Sequence, residues 1–207
     1  MMVGRDDLPW SEACERNRVP IARVLDELLP QRPQVLEIGS GTGQHAVFFN
    51  RLRPELVWRC SDLPENLVGL QARIDREGEG RLPDAIELDV MRSDWPCGPF
   101  DLVFSANTLH IMPWTHTPVL LERSCAVLAN GGCLVIYGPF HDNGVHIAPS
   151  NEAFDRSLKA RDPAMGVRDA QRIRALASAI GLQPEADLAM PANNRILVFR
   201  KPDRAPN

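Results

Sequence analysis

The sequence predicts a doubly wound α/β domain, a largely parallel sheet with helices packed against it. Three observations carry that prediction. Short apolar runs alternate along the chain with amphipathic stretches of helical period. One of those runs, Val35-Leu36-Glu37-Ile38, leads from an acid into Gly39-Ser40-Gly41-Thr42-Gly43 and then into an apolar helix. Carboxylates also stand directly after the next two strands, at Asp62 and Asp89.

Taken in order, Ile21, Val24, Leu25, Leu28 and Leu29 recur at helical spacing and predict a helix over 19–29, ended by Pro30 and Pro33. The first strand is 34–38, and the helix after the glycine-rich turn is 43–53. Leu56 to Ser61 is the second strand, ending at Asp62. Pro64 opens a helix to about Glu77, closed by Gly78-Glu79-Gly80. Ala85 to Leu88 is the third strand and ends at Asp89. Phe100 to Phe104 is the fourth and runs into Ser105-Ala106-Asn107. Thr117 as N-cap with Pro118 at the first helical position starts the next helix, and Asn130-Gly131-Gly132 stops it. Cys133 to Tyr137 is the fifth strand. Residues 139–168 read as a polar insertion around a short helix over 151–161. A helix over 168–180 and strands over 185–190 and 195–199 complete the pattern. No repeat, low-complexity tract or linker interrupts it, so 1–207 is predicted to be a single domain. Within it, 1–30 forms an N-terminal helical lid segment.

At 207 residues and 44% hydrophobic, the chain has enough apolar surface for one sizeable core. The net charge of −4, with arginines scattered singly among acids, leaves no basic stripe for a nucleic-acid partner. Five cysteines without a C-x-x-C pair read as reduced core thiols of a cytoplasmic protein. No basic-then-apolar leader and no apolar run of membrane length is present, so no membrane association is expected.

The glycine-rich turn holds the first chemical signal. Glycines at alternate positions let the backbone approach a ligand without Cβ atoms in the way, and the helix that follows aims its N–H groups into the same space. Glu37 before the turn repels a pyrophosphate but welcomes a cation. That combination suits S-adenosylmethionine, whose methionine end carries an ammonium and a sulfonium. The competing dinucleotide fingerprint, G-x-G-x-x-G/A, fails when read from Gly39, because its third position is Gln44. Read from Gly41 it is met by Gly43 and Ala46, but that register leaves Gly39 and Glu37 unexplained. Ligands of open α/β sheets bind beyond the carboxyl ends of the strands. Glu37 to Gly43, Asp62, Asp89, Ser105 to His110 and Gly138 to His141 are therefore expected around one crevice. Asp62 can accept ribose hydroxyls, or else cap the helix after Pro64. Asp89 can accept an adenine amino group with Val90 beside the ring, or else serve as a turn aspartate.

The tract Glu37 to His45 resembles motif I of class I S-adenosylmethionine methyltransferases. More narrowly, the chain resembles the methyltransferase-like 26 group, also called domain-of-unknown-function family 938. Four further stretches carry that likeness: Ser11 to Arg18, Phe104 to Met112, Tyr137-Gly138-Pro139-Phe140 and Met190 to Asn194. The resemblance implies a Rossmann-like seven-stranded sheet in the order 3-2-1-4-5-7-6, with the last strand antiparallel and helices on both faces. It implies cofactor contacts at Glu37, Gly39, Gly41, Gly43, Asp62 and Asp89, to which Ser40, Val90 and Ser105 are added from their places at the strand ends. It implies no particular acceptor.

Methyl transfer asks the protein mainly to hold a nucleophile in line behind the methyl group. A hydroxyl or protonated amine also needs a general base. His110 after the fourth strand is the first candidate, with Tyr137 and His141 flanking the fifth strand. Asn17 and Arg18 in the lid, Asn107, and Phe140, Asn151 and Phe154 in the acceptor-side insertion 139–168 are the expected contacts to a small-molecule acceptor. Asp155 and Asn193-Asn194 lie near the same mouth. His110 and His116, or His141 and His146, lack supporting ligands at metal spacing, so no metal is expected. Two other readings stay open: a nicotinamide-dependent oxidoreductase, and a non-catalytic S-adenosylmethionine-binding interaction protein.

Overall fold

A computed structural model describes residues 8–203; residues 1–7 of the predicted lid segment lie outside the described residues. The chain packs as two compact units, Met1–Asp89 and Val90–Asn207. The first contains α1 (Glu12–Leu28), β1 (Gln34–Ile38), α2 (Gln44–Leu52), β2 (Val57–Asp62), α3 (Pro64–Glu77) and β3 (Ile86–Glu87). The second begins with β4 (Phe100–Ala106), α4 (His116–Val127) and β5 (Leu128–Gly138). It continues through β6 (Phe140–Asp142), β7 (Val145–His146), α5 (Pro149–Arg161), β8 (Arg168–Asp169), α6 (Ala170–Ala179), β9 (Gln183–Met190) and β10 (Asn194–Arg200).

Seven strands form a mixed sheet in the order β3-β2-β1-β4-β5-β10-β9. Because β9 and β10 are its sixth and seventh strands in chain order, this is the Rossmann-like arrangement that the resemblance implies. β1 and β2, β2 and β3, and β4 and β5 pair in parallel, whereas β10 runs antiparallel to both β5 and β9. The central parallel strands β1 and β4 and the latter part of β5 are largely buried and so read as near-continuous apolar runs. Val35, Leu36 and Trp58 are fully buried in the first unit, as are Leu102, Val103, Phe104, Val135, Ile136 and Leu197 in the second.

Several elements differ from the sequence-based expectation. α1 starts at Glu12, not at residue 19, with Ser11 as N-cap accepting the Cys14 N–H at 3.3 Å and Pro20 carried inside the helix. Its buried stripe is Asn17, Ile21 and Leu25, and the polar residue at its head hides the period. α4 starts at His116, with Thr115 at the N-cap position but without a side-chain bond, while Thr117 is fully buried in its first turn. Asn130-Gly131-Gly132 does not end a helix but lies inside β5. Gly131 N–H donates to Lys201 O at 2.9 Å and Lys201 N–H to Gly132 O at 2.8 Å, so the glycine pair is drawn into strand pairing. A Cβ on Gly132 would come within 3.0 Å of the carbonyl oxygens of Ala129 and Asp101, which explains the glycine there. The insertion holds more than one helix: β6 pairs antiparallel with β7 and parallel with β8, making a second, three-stranded sheet. Strands of two or three residues carry too little pattern to be read from sequence. All five cysteines are unpaired; Cys60 and Cys133 are buried, but Cys97 is exposed and not a core residue.

Candidate functional site

In the first unit the candidate site is built on the turn between β1 and α2. Gly39, Gly41 and Gly43 have φ of 72°, 55° and 73°, the left-handed region that favours glycine. The second and third glycines serve different ends. A Cβ on Gly43 would lie 2.8 Å from Leu70 Cδ1 and 3.3 Å from Arg73 Cδ, so this position lets α3 pack close. A Cβ on Gly41 would meet nothing within 4 Å. The main chain there borders open space, the cradle that a ligand of the predicted kind requires.

The turn is fixed from β2. Gly39 and Ser40 N–H both donate to Ser61 O, at 3.0 and 2.9 Å, and Ser61 N–H donates to Ser40 Oγ at 3.1 Å. Asp62 Oδ2 accepts the Gly41 N–H at 2.6 Å. Its Oδ1 accepts from Leu63 N–H at 2.8 Å and from Asn66 Nδ2 at 2.7 Å. Asp62 is thus a brace for the tip of the turn, not the cap of α3, whose N-cap is Leu63 without a side-chain bond. Glu37 is 1% exposed: Trp58 Nε1 donates to its Oε2 at 2.8 Å, and His45 Nδ1 lies 3.8 Å from its Oε1. Its carboxylate is held inward on Trp58, not turned to the surface where a direct contact is expected. Ser40, 5% exposed and bonded to β2, is likewise turned inward.

The N-terminal segment is tied to this turn. Gln44 Oε1 accepts from Ser11 N–H at 2.6 Å and from Thr42 Oγ1 at 2.9 Å, while Gln44 Nε2 donates to Glu15 Oε1 at 2.7 Å. Asn17 Oδ1 is hydrogen-bonded to His45 Nε2 at 2.7 Å. Arg73, 2% exposed on α3, donates from Nε to Thr42 O and from Nη2 to Pro9 O, each at 2.6 Å. Asn17 and Arg18 were expected to touch the acceptor. Instead Asn17 is 6% exposed on His45. Arg18 pairs with Glu15 at 2.7 Å and lies 4.7 Å from the centre of the Phe48 ring. Gln44, His45 and Arg73 were missed as site residues. The available signal was a charged residue, Arg73, between Leu70 and Ile74 on the buried face of α3. Asp89 is half-buried at the end of this unit. An apolar cavity of about 300 Å³ between α1, α2 and β2, floored by Trp58 and Phe49, is lined by none of the turn residues and is not the candidate site.

In the second unit the candidates gather at the ends of β4 and β5. Asn107, at φ 59°, donates its N–H to Tyr137 O at 2.9 Å. A Cβ on Gly138 would stand 3.8 Å from His110 Nδ1 and 4.0 Å from Asn107 Oδ1, so these two side chains converge over a glycine. His110 is 7% exposed and meets the Phe154 ring edge-on, with centroids 5.2 Å apart. Burial, then the guanidiniums of Arg168 and Arg161, pull its pKa down from 6.5 to about 4, so the imidazole is neutral at physiological pH. Phe154 is 39% exposed and Val90 8%.

His141 belongs to a separate group in the small sheet. Its Nδ1 accepts the Gly144 N–H at 3.1 Å, and its ring lies 5.3 Å from that of His146, which is 3.6 Å from Asp155. Burial lowers the His141 pKa, opposed by Asp169. Ser105 is fully buried within β4, and Tyr137 and Phe140 are 4% and 1% exposed. Ser105 and Phe140, expected at the site, are buried in this structure. Asn151 donates to Asn193 O at 2.8 Å and pins α5 to the β9–β10 connection. Among the described residues no group of three or more His, Cys, Asp or Glu is arranged to hold a metal ion, and no helix is long and apolar enough to cross a membrane.

The profile of a family described as "Protein of unknown function (DUF938)" matches residues 8–201. Among solved structures, an O-methyltransferase family protein from Burkholderia thailandensis is similar at 17% identity and a TM-score of 0.79, over 93% of this chain and 58% of that one. An O-methyltransferase family 2 protein from Planctomyces limnophilus, in complex with apigenin, matches at 16% identity and a TM-score of 0.75, over 91% and 60%. CalO1, a methyltransferase in calicheamicin biosynthesis in an SAH-bound form, matches at 20% identity and a TM-score of 0.73, over 90% and 53%. The chain thus spans little more than half the length of these structures, which share its fold.

Proposed function

Because the chain belongs to the DUF938 family, with the sheet order and motif of a class I methyltransferase, we propose that it moves a methyl group from S-adenosylmethionine to a small-molecule acceptor. The observation that carries this reading is Gly41, left-handed, bordering open space, and braced by a buried acid. When bound, S-adenosylmethionine supplies the electrophilic methyl group on its sulfonium. The similar fold of solved methyltransferases, one of them holding SAH, supports the same donor.

The residues of this chain divide the work. Gly41 admits the donor close to the main chain. Asp62 braces that segment and brings a negative charge suited to a cationic ligand. Asp89 and Val90 follow β3 where the adenine is expected. On the acceptor side, neutral His110 takes the proton of a hydroxyl or amine, with Asn107 converging on it and Phe154 giving an apolar wall. A base with so low a pKa is best matched to an acceptor whose own proton is readily lost. We assign the reaction to a cytoplasmic setting with neither a membrane nor a nucleic acid as partner.

The test is a metabolite extract incubated with the protein and a methyl-labelled donor, followed by identification of the compound that gains label. Thermal unfolding with S-adenosylmethionine or NAD in parallel separates the nicotinamide reading, since only the cofactor that binds raises the midpoint. Donor binding with no labelled product from any extract overturns the enzymatic reading in favour of an S-adenosylmethionine-binding interaction protein.

A further inference from the structure

The second unit contains a buried cation that makes no direct ion pair among the described residues. Arg168, on β8, is 8% exposed, and its guanidinium bonds only to main-chain carbonyls among the described residues. Its Nε donates to Leu109 O at 2.9 Å and its Nη2 to Ala164 O at 2.9 Å and to Met112 O. Gly166 N–H adds a bond to His110 O at 2.9 Å. Segment 164–168 therefore grips the loop on both sides of His110. Asp155, bonded to Lys159 at 2.6 Å and to Val167 N–H at 2.8 Å, acts on this cation through space and makes no bond to it.

We propose that Arg168 is a positioning residue for His110: its fork to the carbonyls of Leu109 and Met112, beside the Gly166–His110 main-chain bond, fixes the loop that carries the ring. The inference rests on reading His110 as the acceptor-side base. The groups around the ring are consistent with it. Arg161, at the end of α5, is a second cation acting on His110. On the same helix Asp155 and Lys159 pair with each other, and Phe154 presents a ring edge. Gly138 at the end of β5 brings no charge, and Asn107 after β4 is neutral. A lysine in place of Arg168 would keep the charge but could not span three carbonyls.

The experiment follows the imidazole Cε1–H resonance of His110 in the full chain through a pH titration, assigned with His110→Gln, in wild type, Arg168→Met and Arg168→Lys. In wild type His110 is expected to remain uncharged down to about pH 5. Arg168→Met is expected to raise its midpoint and to speed amide exchange across 109–112 at least roughly tenfold. Arg168→Lys is expected to leave the midpoint nearly in place while amide exchange across 109–112 speeds up at least roughly tenfold. A wild-type midpoint near 6.5, or a midpoint unmoved in folded Arg168→Met, overturns the proposal, since a merely structural arginine would lower stability without moving this resonance. Should Arg168→Met fail to fold, unchanged exchange across 109–112 in Arg168→Lys overturns it. Calorimetry showing no S-adenosylmethionine binding removes the methyltransferase reading separately, and leaves the resonance to decide the role of Arg168.

Discussion

Replacing Gly41 and Gly43 by alanine, one at a time, separates ligand space from packing space within one turn. Both residues are left-handed, at φ 55° and 73°, and an L side chain in that region costs about 1–2 kcal/mol. Beyond that shared cost the two differ. The Cβ at residue 43 would be driven to 2.8 Å from Leu70 Cδ1 and 3.3 Å from Arg73 Cδ, while the Cβ at residue 41 meets no atom within 4 Å. Overpacking of a fitted contact costs a further 1–3 kcal/mol or so. Gly43→Ala should therefore lose about 2–5 kcal/mol of stability, and Gly41→Ala only about 1–2 kcal/mol. Binding should rank the other way. The methyl group at 41 stands in the space assigned to the nucleoside, so Gly41→Ala should weaken S-adenosylmethionine by roughly tenfold or more, equivalent to about 1.4 kcal/mol. Denaturant unfolding gives the first ranking and titration calorimetry on the folded variants gives the second. A Gly41→Ala protein that binds the donor as tightly as wild type would show that the open side of the turn is not where the ligand lies.

The other predictions concern charge and burial. Asp62→Asn keeps the shape but cannot satisfy Gly41 N–H, Leu63 N–H and Asn66 together. It should lose about 1–3 kcal/mol of stability and weaken the donor by roughly 5- to 150-fold, and unchanged unfolding and calorimetry would remove the brace. His110 has a folded pKa of about 4 against 6.5 ordinarily, so the unfolded chain takes the proton first. The stability it contributes is complete above about pH 6.5 and is lost as pH falls towards 4, by about 3 kcal/mol in all; unfolding midpoints of His110→Gln measured across that range should fall less steeply than those of wild type. Alkylation read by mass spectrometry should label exposed Cys97 well before Cys60 and Cys133, whose thiols are buried and whose pKa burial raises, to about 11 for Cys133. Equal labelling of all three in the folded protein would contradict the described burial.

The parts of the fold that repeat with a period were legible in the sequence. β1, α2, β2 and α3 fall within a residue or two of the predicted ranges because apolar runs, glycines and Pro64 punctuate them. The positions of the strand-end acids were legible for the same reason. Their orientation was not, since it depends on partners far along the chain. Glu37 is taken by Trp58, which follows it by 21 residues, and Asn17 by His45, which follows it by 28. No local pattern encodes such pairs. The same holds for Arg168, whose carbonyl partners Leu109 and Met112 stand 59 and 56 residues earlier. The small sheet β7-β6-β8 escaped detection because strands of two or three residues have too little alternation to read.

The inward turn of the acids changes the reason the glycine-rich turn suits a cationic nucleoside. Acids ringing a pocket suggest direct hydrogen bonds to the ligand, yet Glu37 is buried and Asp62 already accepts three donors. Hydrogen-bonding capacity and charge are separate properties, however. The three donors on Asp62 are neutral main-chain and amide groups, so they orient the carboxylate without cancelling its charge. A carboxylate held this way acts on a nearby sulfonium or ammonium through its field, at an effective dielectric well below that of water, and needs no rearrangement when the ligand arrives. The lattice that fixes it extends outward through Gln44, His45 and Arg73 to Pro9, Ser11, Glu15 and Asn17. The segment read from sequence as a lid is, over its described residues, hydrogen-bonded to this turn. Loosening it with Gln44→Ala should therefore weaken S-adenosylmethionine in titration calorimetry, and unchanged affinity would show that this network does not set the turn.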